Sequence, residues 1–329
     1  MIGSIVVTLI SYIVAFFLQI VLHEMGHLLA GLATGYKFVS FRLLLFEWAK
    51  EDGRIVLKRT RKRYAVGQCL MAPPRDEIRF RFVLYNLGGC LVNLLCGTAA
   101  VVVLVFCDWS GYTLQILVGV IAACAYLGFA NLIPISYGIP NDGMNIVTAM
   151  RSAEAKHGMY LIFAINAALS HGKRFRDFDD TAFRISHEAD LTNYLVAYIV
   201  ILQAQRLYDC AEYVASAAAL QQLNESRLPG FYCSVILCAR LWNHLIHDGG
   251  EQAIKTAREI YGRKGTKKFL GMGLPELYRT HAAAAYYLDN DTSEALALIE
   301  KAKTAASNAN AGERAMEWDY IAFLEGRMA

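Results

Sequence analysis

Apolar and charged positions divide the chain into two parts of different character. Before Asp142 there are three long runs without a charged residue: Ile2–Leu22, Phe82–Cys107 and Trp109–Asn141. About 20 apolar residues are enough to cross the hydrocarbon core of a bilayer as a helix. The pattern therefore predicts three membrane spans, at about residues 2–34, 82–107 and 112–135.

A cleaved signal peptide is the competing interpretation of the first run. The beginning of this run has no Lys or Arg, whereas a signal peptide carries positive charge before its apolar stretch. Cleavage would also separate the run from His23 and His27, which directly follow it. A retained first span is therefore favoured.

Basic residues are concentrated between the first two spans. They are Lys37, Arg42, Lys50, Arg54, Lys58, Arg59, Arg61, Lys62, Arg63, Arg75, Arg79 and Arg81. The turn Asp108–Gly111 has none, so the positive-inside rule places the basic segment in the cytoplasm. The N-terminus is then outside, and everything after the third span is cytoplasmic. Next to two spans, the Arg59–Arg63 cluster is interpreted as an orientation signal or an anionic-lipid contact, and no nucleic-acid partner is predicted.

The second part mixes charged and apolar residues at helical spacing. We predict a connecting amphipathic helix at 151–174 and an α-helical domain at 175–329. Three dipeptides recur at an interval of 42 residues: Cys210-Ala211, Gln252-Ala253 and Glu294-Ala295. This resembles a tetratricopeptide-type repeat with a unit longer than usual. Such a solenoid would offer a concave surface to a protein or peptide partner.

Composition agrees with this division. Hydrophobic residues make up 56% of the chain, which is too apolar for a plain soluble protein, and the net charge of +3 is too small to indicate nucleic acid. The eight cysteines contain no CxxC pair, so they are interpreted as reduced, buried residues. The predicted fold class is a mainly α, polytopic membrane protein. A three-helix core and a small interfacial β-hairpin or sheet occupy 1–150, and a soluble helical repeat-like domain follows.

Between Lys37 and Gly67 the pattern is typical of strands. Phe38–Phe46 and Ile55–Leu57 flank Glu51-Asp52-Gly53, and Asp-Gly between apolar runs is a hairpin signal. A peptide bond within a membrane helix is accessible only after unwinding, and lipid offers the unwound backbone no hydrogen-bond partners. An edge strand within 37–67 would supply them by β-addition. A purely structural hairpin at the membrane interface remains the alternative.

The residues His23-Glu24-Met25-Gly26-His27 form an HExxH pattern. On a helix, positions four apart share one face, so both imidazoles can reach a single metal ion. Glu24 lies beside them, where a carboxylate can take a proton from water activated by zinc. Hydrogen-bonded histidines in a helix bundle are the competing interpretation, but ionisable groups at the edge of a span are usually functional.

A catalytic zinc site needs a third protein ligand. Asp142 is the first charged residue after the third span and is the best candidate. Taken alone, Pro140-Asn141-Asp142-Gly143 is typical of a turn that starts a helix. On these residues alone the turn interpretation is preferred, and the ligand interpretation depends on the rest of the pattern.

Four elements occur on the three predicted spans in this order: HEMGH, Gly89-Cys-Leu-Val-Asn93, Asn131-Leu-Ile-Pro134 and Asp142-Gly143. Together they resemble the site-2 protease family of intramembrane zinc metalloproteases, over about residues 10–150. The resemblance implies one Zn²⁺ per chain, bound by His23, His27 and Asp142. It also implies Glu24 as general base, with Asn93 and Asn131 steadying the substrate backbone or the developing oxyanion.

Two departures from the family pattern are present. Cys90 replaces the usual proline, which changes helix packing more than chemistry. The interval from Asn131 to Asp142 is longer than usual, with Ser136-Tyr-Gly-Ile inserted as a loop, so Asn141 is an alternative to Asn131.

The function expected from these features is hydrolysis of a peptide bond in or near a membrane span of a small membrane protein or peptide precursor. The enzyme would lie in a bacterial cytoplasmic membrane, with the lipid bilayer and the membrane-inserted substrate as its partners. The alternative is a catalytically inactive, membrane-anchored scaffold with a protein-binding helical domain. A metal transporter or sensor is a third hypothesis. A single HExxH site suits these functions less well than it suits hydrolysis.

The charge distribution yields a topological prediction. In intact cells, a membrane-impermeant thiol reagent should label Ser110→Cys, in the turn after the second span, and should not label Arg61→Cys. Labelling of Arg61→Cys alone would invert the orientation and place the helical domain outside.

Overall fold

The computed structural model describes residues 2–51, 53–59, 66–109 and 111–328. The labelling positions Arg61 and Ser110, and Asp52 of the predicted hairpin, lie outside these residues. The described chain is mainly helical, with thirteen α-helices and a small antiparallel sheet. It divides into two compact units: residues 2–57 with 66–150, and residues 151–328 with Lys58 and Arg59.

Three helices of the first unit coincide with the predicted spans. They are α1 (Ile2–Ala33), α2 (Phe82–Phe106) and α3 (Thr113–Leu132). All three are long and apolar enough to cross a membrane. α3 ends three residues earlier than predicted, because Ile133 precedes Pro134 and a residue before proline is forced out of the helical region.

Glycines allow the three helices to pack closely. A Cβ on Gly26 would collide with the backbone of Gly88, and a Cβ on Gly88 would collide with Gly26. Nearer the start of α1, a Cβ on Gly119 of α3 would lie 2.9 Å from the side chain of Ser11. Small residues at helix contacts are what membrane helices use to approach one another. Gly26 therefore has a packing role inside the HExxH sequence.

A four-stranded sheet follows α1, where the sequence predicted a hairpin. Its strands are β1 (Lys37–Leu43), β2 (Phe46–Glu51), β3 (Arg54–Arg59) and β4 (Gly67–Ala72), in the order β3-β2-β1-β4. The predicted single strand Phe38–Phe46 is broken by a turn at Leu44, whose φ is +52°. A leucine there gives no turn signal. β4 was missed because Gly67–Ala72 contains no β-branched or aromatic residue.

The segment after α3 leads to α4 (Asp142–Ala149). The residues predicted as an inserted loop instead form a two-stranded hairpin, β5 (Ser136–Tyr137) and β6 (Ile139–Pro140). Gly138 makes the turn, with φ of +89°. This left-handed conformation is one that glycine adopts without strain.

From Arg151 onward, the regular elements of the described chain are all helical. Its helices are α5 (Ala153–Ser170), α6 (Tyr194–Asp209), α7 (Tyr213–Gln221), α8 (Gly230–Asn243), α9 (Glu251–Gly262), α10 (Lys264–Leu270), α11 (Pro275–Tyr287), α12 (Thr292–Ser307) and α13 (Ala311–Met328). A π-helical turn, His244–Asp248, extends α8.

The recurring dipeptides lie at or near the turns of three helical hairpins. α6 packs on α7, α8 on α9, and α11 on α12. Residues with positive φ stand between the two helices of each pair: Ala211, the pair Gly249 and Gly250, and Asn290. Such left-handed residues end one helix and redirect the chain. The interval in the sequence thus corresponds to successive hairpin turns.

A buried carboxylate connects distant parts of the second unit. The Asp209 side chain, at the end of α6, is fully buried and accepts from Arg174 Nη2 at 2.6 Å, from the Arg176 backbone N–H at 2.9 Å and from Tyr320 Oη at 3.1 Å. Burial raises the pKa of Asp209, but the hydrogen bonds and positive charges of Arg174 and Arg176 together outweigh burial, and the net pKa lies below its usual range. The ionised form is therefore the stabilising one.

We expect Asp209→Asn to lower the free energy of unfolding of the second unit by about 1.5–3 kcal/mol, the usual value for hydrogen bonds to a charged group. Because the pKa is lowered on folding, this contribution is present above about pH 4 and is lost as the pH falls further. Amide hydrogen exchange of the full chain at pH 7 and at lower pH measures it.

Asp319→Asn is the matched control for this prediction. Asp319 also pairs with Arg174, but its side chain is 58% exposed, so the loss should stay below about 1 kcal/mol. Equal effects of the two substitutions would contradict the role assigned to burial at Asp209.

Candidate metal centre

Two helices bring three predicted ligands together. His23 and His27 lie one turn apart on α1, and Asp142 opens α4. The Nε2 atoms of the two histidines are 3.1 Å apart, and Asp142 Oδ2 lies 3.1 Å from the first and 3.4 Å from the second. Among the described residues, this is the one His, Cys, Asp and Glu group with metal-binding spacing.

Hydrogen bonds from α2 fix both imidazole rings. His23 Nδ1 lies 2.8 Å from Asn93 Oδ1, and His27 Nδ1 lies 2.7 Å from the Tyr85 carbonyl oxygen. Asn93 is oriented in turn, since its Nδ2 donates to the Gln19 backbone and side-chain oxygens at 3.0 and 2.7 Å. Both Nδ1 atoms therefore donate, and both Nε2 atoms keep a lone pair.

A metal cation between these atoms would remove the repulsion among their lone pairs. Two neutral Nε2 atoms and a carboxylate oxygen would repel one another at these separations. Tetrahedral zinc with bonds of about 2.0–2.2 Å holds neighbouring ligand atoms about 3.3–3.6 Å apart, close to the three observed distances. The donor set of two imidazoles and one carboxylate is therefore compatible in type and spacing with a tetrahedral Zn²⁺ ion.

The local fold of the α3–α4 connection places Asp142. Asn141 caps α4 by accepting from the Met144 N–H at 2.9 Å, and its Nδ2 donates to the Ala130 and Ile133 carbonyls at 2.6 and 2.7 Å. These hydrogen bonds fix the position of Asp142, the first residue of α4.

Glu24 lies between the sheet and the three side chains of His23, His27 and Asp142. It interacts electrostatically with His27 and His23, and the backbone of Cys69 in β4 hydrogen-bonds its carboxylate. A Cβ on Gly67 would lie 2.8 Å from Glu24 Cγ, so the glycine at the start of β4 leaves the space that Glu24 occupies. The carboxylate is therefore held beside the three donors without being one of them.

Two predicted asparagines have different surroundings. Asn93 is fully buried and positions His23. The structure does not bring the Asn131 side chain to the three donors, because its Nδ2 donates to the Leu127 carbonyl of its own helix at 3.1 Å. Asn141, the alternative to Asn131, fixes the connection that holds Asp142.

Some contributors to the centre were missed from the sequence. Gln19 stands four residues before His23, and a polar residue on the same helix face of a span was a usable signal. Tyr85 acts through its carbonyl oxygen, which gives no side-chain signal. Cys90 is buried, with its Sγ 4.0 Å from Asp142 Oδ2.

Comparison with known proteins does not identify a family for the chain. No protein-family model, curated protein or solved structure matches it. The function of the centre is therefore inferred from its geometry.

We expect purified protein to bind one zinc ion per chain and Asp142→Ala to lose it. Asn93→Leu should retain the ligands yet lower zinc affinity about 10–100-fold, because the His23 ring loses its orienting partner. Competition with a chromogenic chelator measures the affinity. Asn131→Leu is the matched control and should bind zinc normally. Undiminished zinc in Asp142→Ala would remove that residue from the ligand set.

Proposed function

We propose that the protein is an intramembrane zinc metalloprotease of the site-2 type. The observation that carries this proposal is the placement of Glu24 beside His23, His27 and Asp142 and against strand β4. A structural metal site has four protein ligands, whereas three ligands with a neighbouring carboxylate are typical of hydrolytic sites. An inactive scaffold, the alternative function, would not need a carboxylate placed beside three metal-binding side chains.

In the proposed reaction, zinc when bound supplies Lewis-acid activation of water and of the scissile carbonyl group. Glu24 accepts the proton from the attacking water and delivers it to the leaving amine. Asn93 and the Tyr85 carbonyl hold the imidazoles in the tautomer that presents Nε2. Asn93 acts as a positioning residue, since both ends of its amide are already engaged within the protein.

The sheet supports a proposal for how the substrate is held. Cys69 directs its N–H to Glu24 and its carbonyl oxygen to Tyr85 Oη, 2.6 Å away. Both groups therefore point to the outer edge of β4, away from β1. An unwound segment of a membrane-inserted protein or peptide precursor would pass beside Glu24 at this edge. Because the Cys69 N–H and carbonyl oxygen are already engaged, the segment would pair with backbone groups of the β4 edge on either side of Cys69. Gly67 would lie at the point nearest the reaction.

The three apolar helices and the basic residues around the sheet support a place in a bacterial cytoplasmic membrane. In this proposal the N-terminus is outside and the second unit is cytoplasmic. The second unit would bind a protein or peptide and so bring substrate or a regulator to the enzyme.

We expect Glu24→Gln to bind zinc and fold normally while cleavage falls about 10²–10⁴-fold, the usual loss for a general base. Quantitative comparison of membrane peptides in cells making either form should show uncleaved precursors accumulating in the variant. Glu47→Gln, on β2 of the same sheet, is the matched control and should leave the peptide profile unchanged. Identical fragments from the Glu24→Gln cells would contradict the mechanism.

A further inference from the structure

The charges of the second unit are unevenly distributed. Residues 255–268 contain six basic residues and one acid, Glu259. Residues 151–254 and 269–328 together contain fourteen basic and twenty acidic residues. The second unit therefore has one strongly basic segment in an otherwise acidic polypeptide. We call its six basic residues the basic patch: Lys255, Arg258, Arg263, Lys264, Lys267 and Lys268.

The packing of α9 and α10 exposes all six members of the basic patch to solvent. On α10, the buried residues are Thr266, Phe269 and Leu270. The three lysines of this helix stand at positions i, i+3 and i+4, so they share its exposed face. On α9, Ala257 and Ile260 are buried, while the two basic residues, three positions apart, are exposed. The six charges are therefore accessible to a partner.

Little of this positive charge is neutralised within the protein. Among the described residues, Arg263 is the one member of the basic patch with an ion pair, to Glu225 at 3.4 Å, and Glu225 also pairs with Arg240 at 2.8 Å. Lys267 Nζ lies 5.0 Å from the centroid of the Tyr261 ring. This contact holds the lysine beside α9 and leaves its charge uncompensated. The basic patch therefore carries charge that an external anion can neutralise.

The form of the basic patch favours an extended anionic surface over a single small anion. A Cβ added to Gly262 or Gly265, which lie between the basic residues, would meet no atom within 4 Å. The backbone here is therefore open to close approach by a surface. Four of the six cations are lysines, whereas specific phosphate and carboxylate groups are typically held by arginine in bidentate pairs. Exposed lysines respond instead to the negative potential of a membrane surface.

The protein's own membrane helices supply such a surface. The first unit contains three helices long and apolar enough to cross a bilayer. A domain tethered to a bilayer meets its headgroups at high effective concentration, so weak contacts suffice for docking. The cytoplasmic leaflet, which the proposed topology places on the side of the second unit, has a negative surface potential. That potential attracts the basic patch and repels the acidic remainder of the unit, so it also selects one orientation.

From these observations we infer that the basic patch docks the second unit on the anionic phospholipid headgroups of the bilayer that holds the first unit. The lysine ammonium groups lie among the lipid phosphates, and the acidic surfaces of the unit face the solvent. This inference rests on the proposed membrane placement and topology, and it is independent of zinc binding and hydrolysis. An acidic protein segment is the competing partner for the same charges.

The reactivity of individual lysines tests this docking. The full chain is placed in nanodiscs of phosphatidylcholine alone, or of an equal mixture with phosphatidylglycerol, and is treated briefly with a water-soluble acetylating reagent. Mass spectrometry then gives the acetylation rate of each lysine. Because a basic residue near an anionic surface gains about fivefold in affinity for it, Lys264, Lys267 and Lys268 should react at least about fivefold more slowly in the anionic nanodiscs. High salt should remove the difference by screening. Lys173, exposed and outside the basic patch, should react equally in both.

Three variants make the test specific. Lys267→Gln combined with Lys268→Gln removes two charges of the basic patch and should restore most of the Lys264 reactivity in anionic nanodiscs. Lys156→Gln combined with Lys173→Gln is the matched control: it removes the same charge outside the basic patch and should leave Lys264 protected. Asp142→Ala should show the protection of the unsubstituted protein, because docking needs no metal. The test therefore succeeds or fails separately from the proposed hydrolysis.

Three results would overturn the inference. The first is equal reactivity of the patch lysines in neutral and anionic nanodiscs, which would leave the basic patch as a solvated surface. The second is protection by a soluble polyglutamate peptide in neutral nanodiscs without protection by anionic lipid, which would assign the basic patch to an acidic protein segment. The third is equal protection by soluble glycerol phosphate, which would show that a free phosphate compound, and not the bilayer, is bound.

Discussion

The hydrogen bonds that α2 provides to His23 and His27 are the constraint on which the metal centre depends. They require α1 and α2 to approach until an asparagine side chain and a backbone carbonyl reach the imidazole Nδ1 atoms. Glycines at the helix contact permit that approach, since Gly26 and Gly88 lie backbone against backbone. The same short segment therefore determines both the helix packing and the placement of the two histidines, because Gly26 lies between them in the HExxH sequence.

Much of this arrangement could be predicted from local signals. Runs without charge predicted the three apolar helices, the spacing of His23 and His27 predicted a shared face, and Asp142 stood out as the first acid after the third run. Each signal arises from one element alone. The sequence could not show that Asn93 orients His23 or that the Tyr85 carbonyl orients His27. Both roles depend on how closely α1 and α2 approach each other.

The sheet and the second unit show where local signals end. Gly67–Ala72 becomes a strand because β1 offers it a partner, not because its residues favour extended structure. The buried ion pair between Arg279 of α11 and Glu317 of α13 likewise depends on the packing of helices that are separated in the chain. The 42-residue recurrence predicted paired helices, but it did not indicate which side chains these helices would bring into contact.

Cys69 contacts two functional elements from a single backbone position. Its N–H serves Glu24, while its carbonyl oxygen holds Tyr85, whose own carbonyl orients His27. The three apolar helices and the sheet are thus mechanically coupled and are not exchangeable modules. Transplanting the three helices into another scaffold without β4 would leave both Glu24 and His27 without support. Substitutions in this strand would therefore disturb the surroundings of His23, His27 and Asp142, although the strand contributes none of these three side chains.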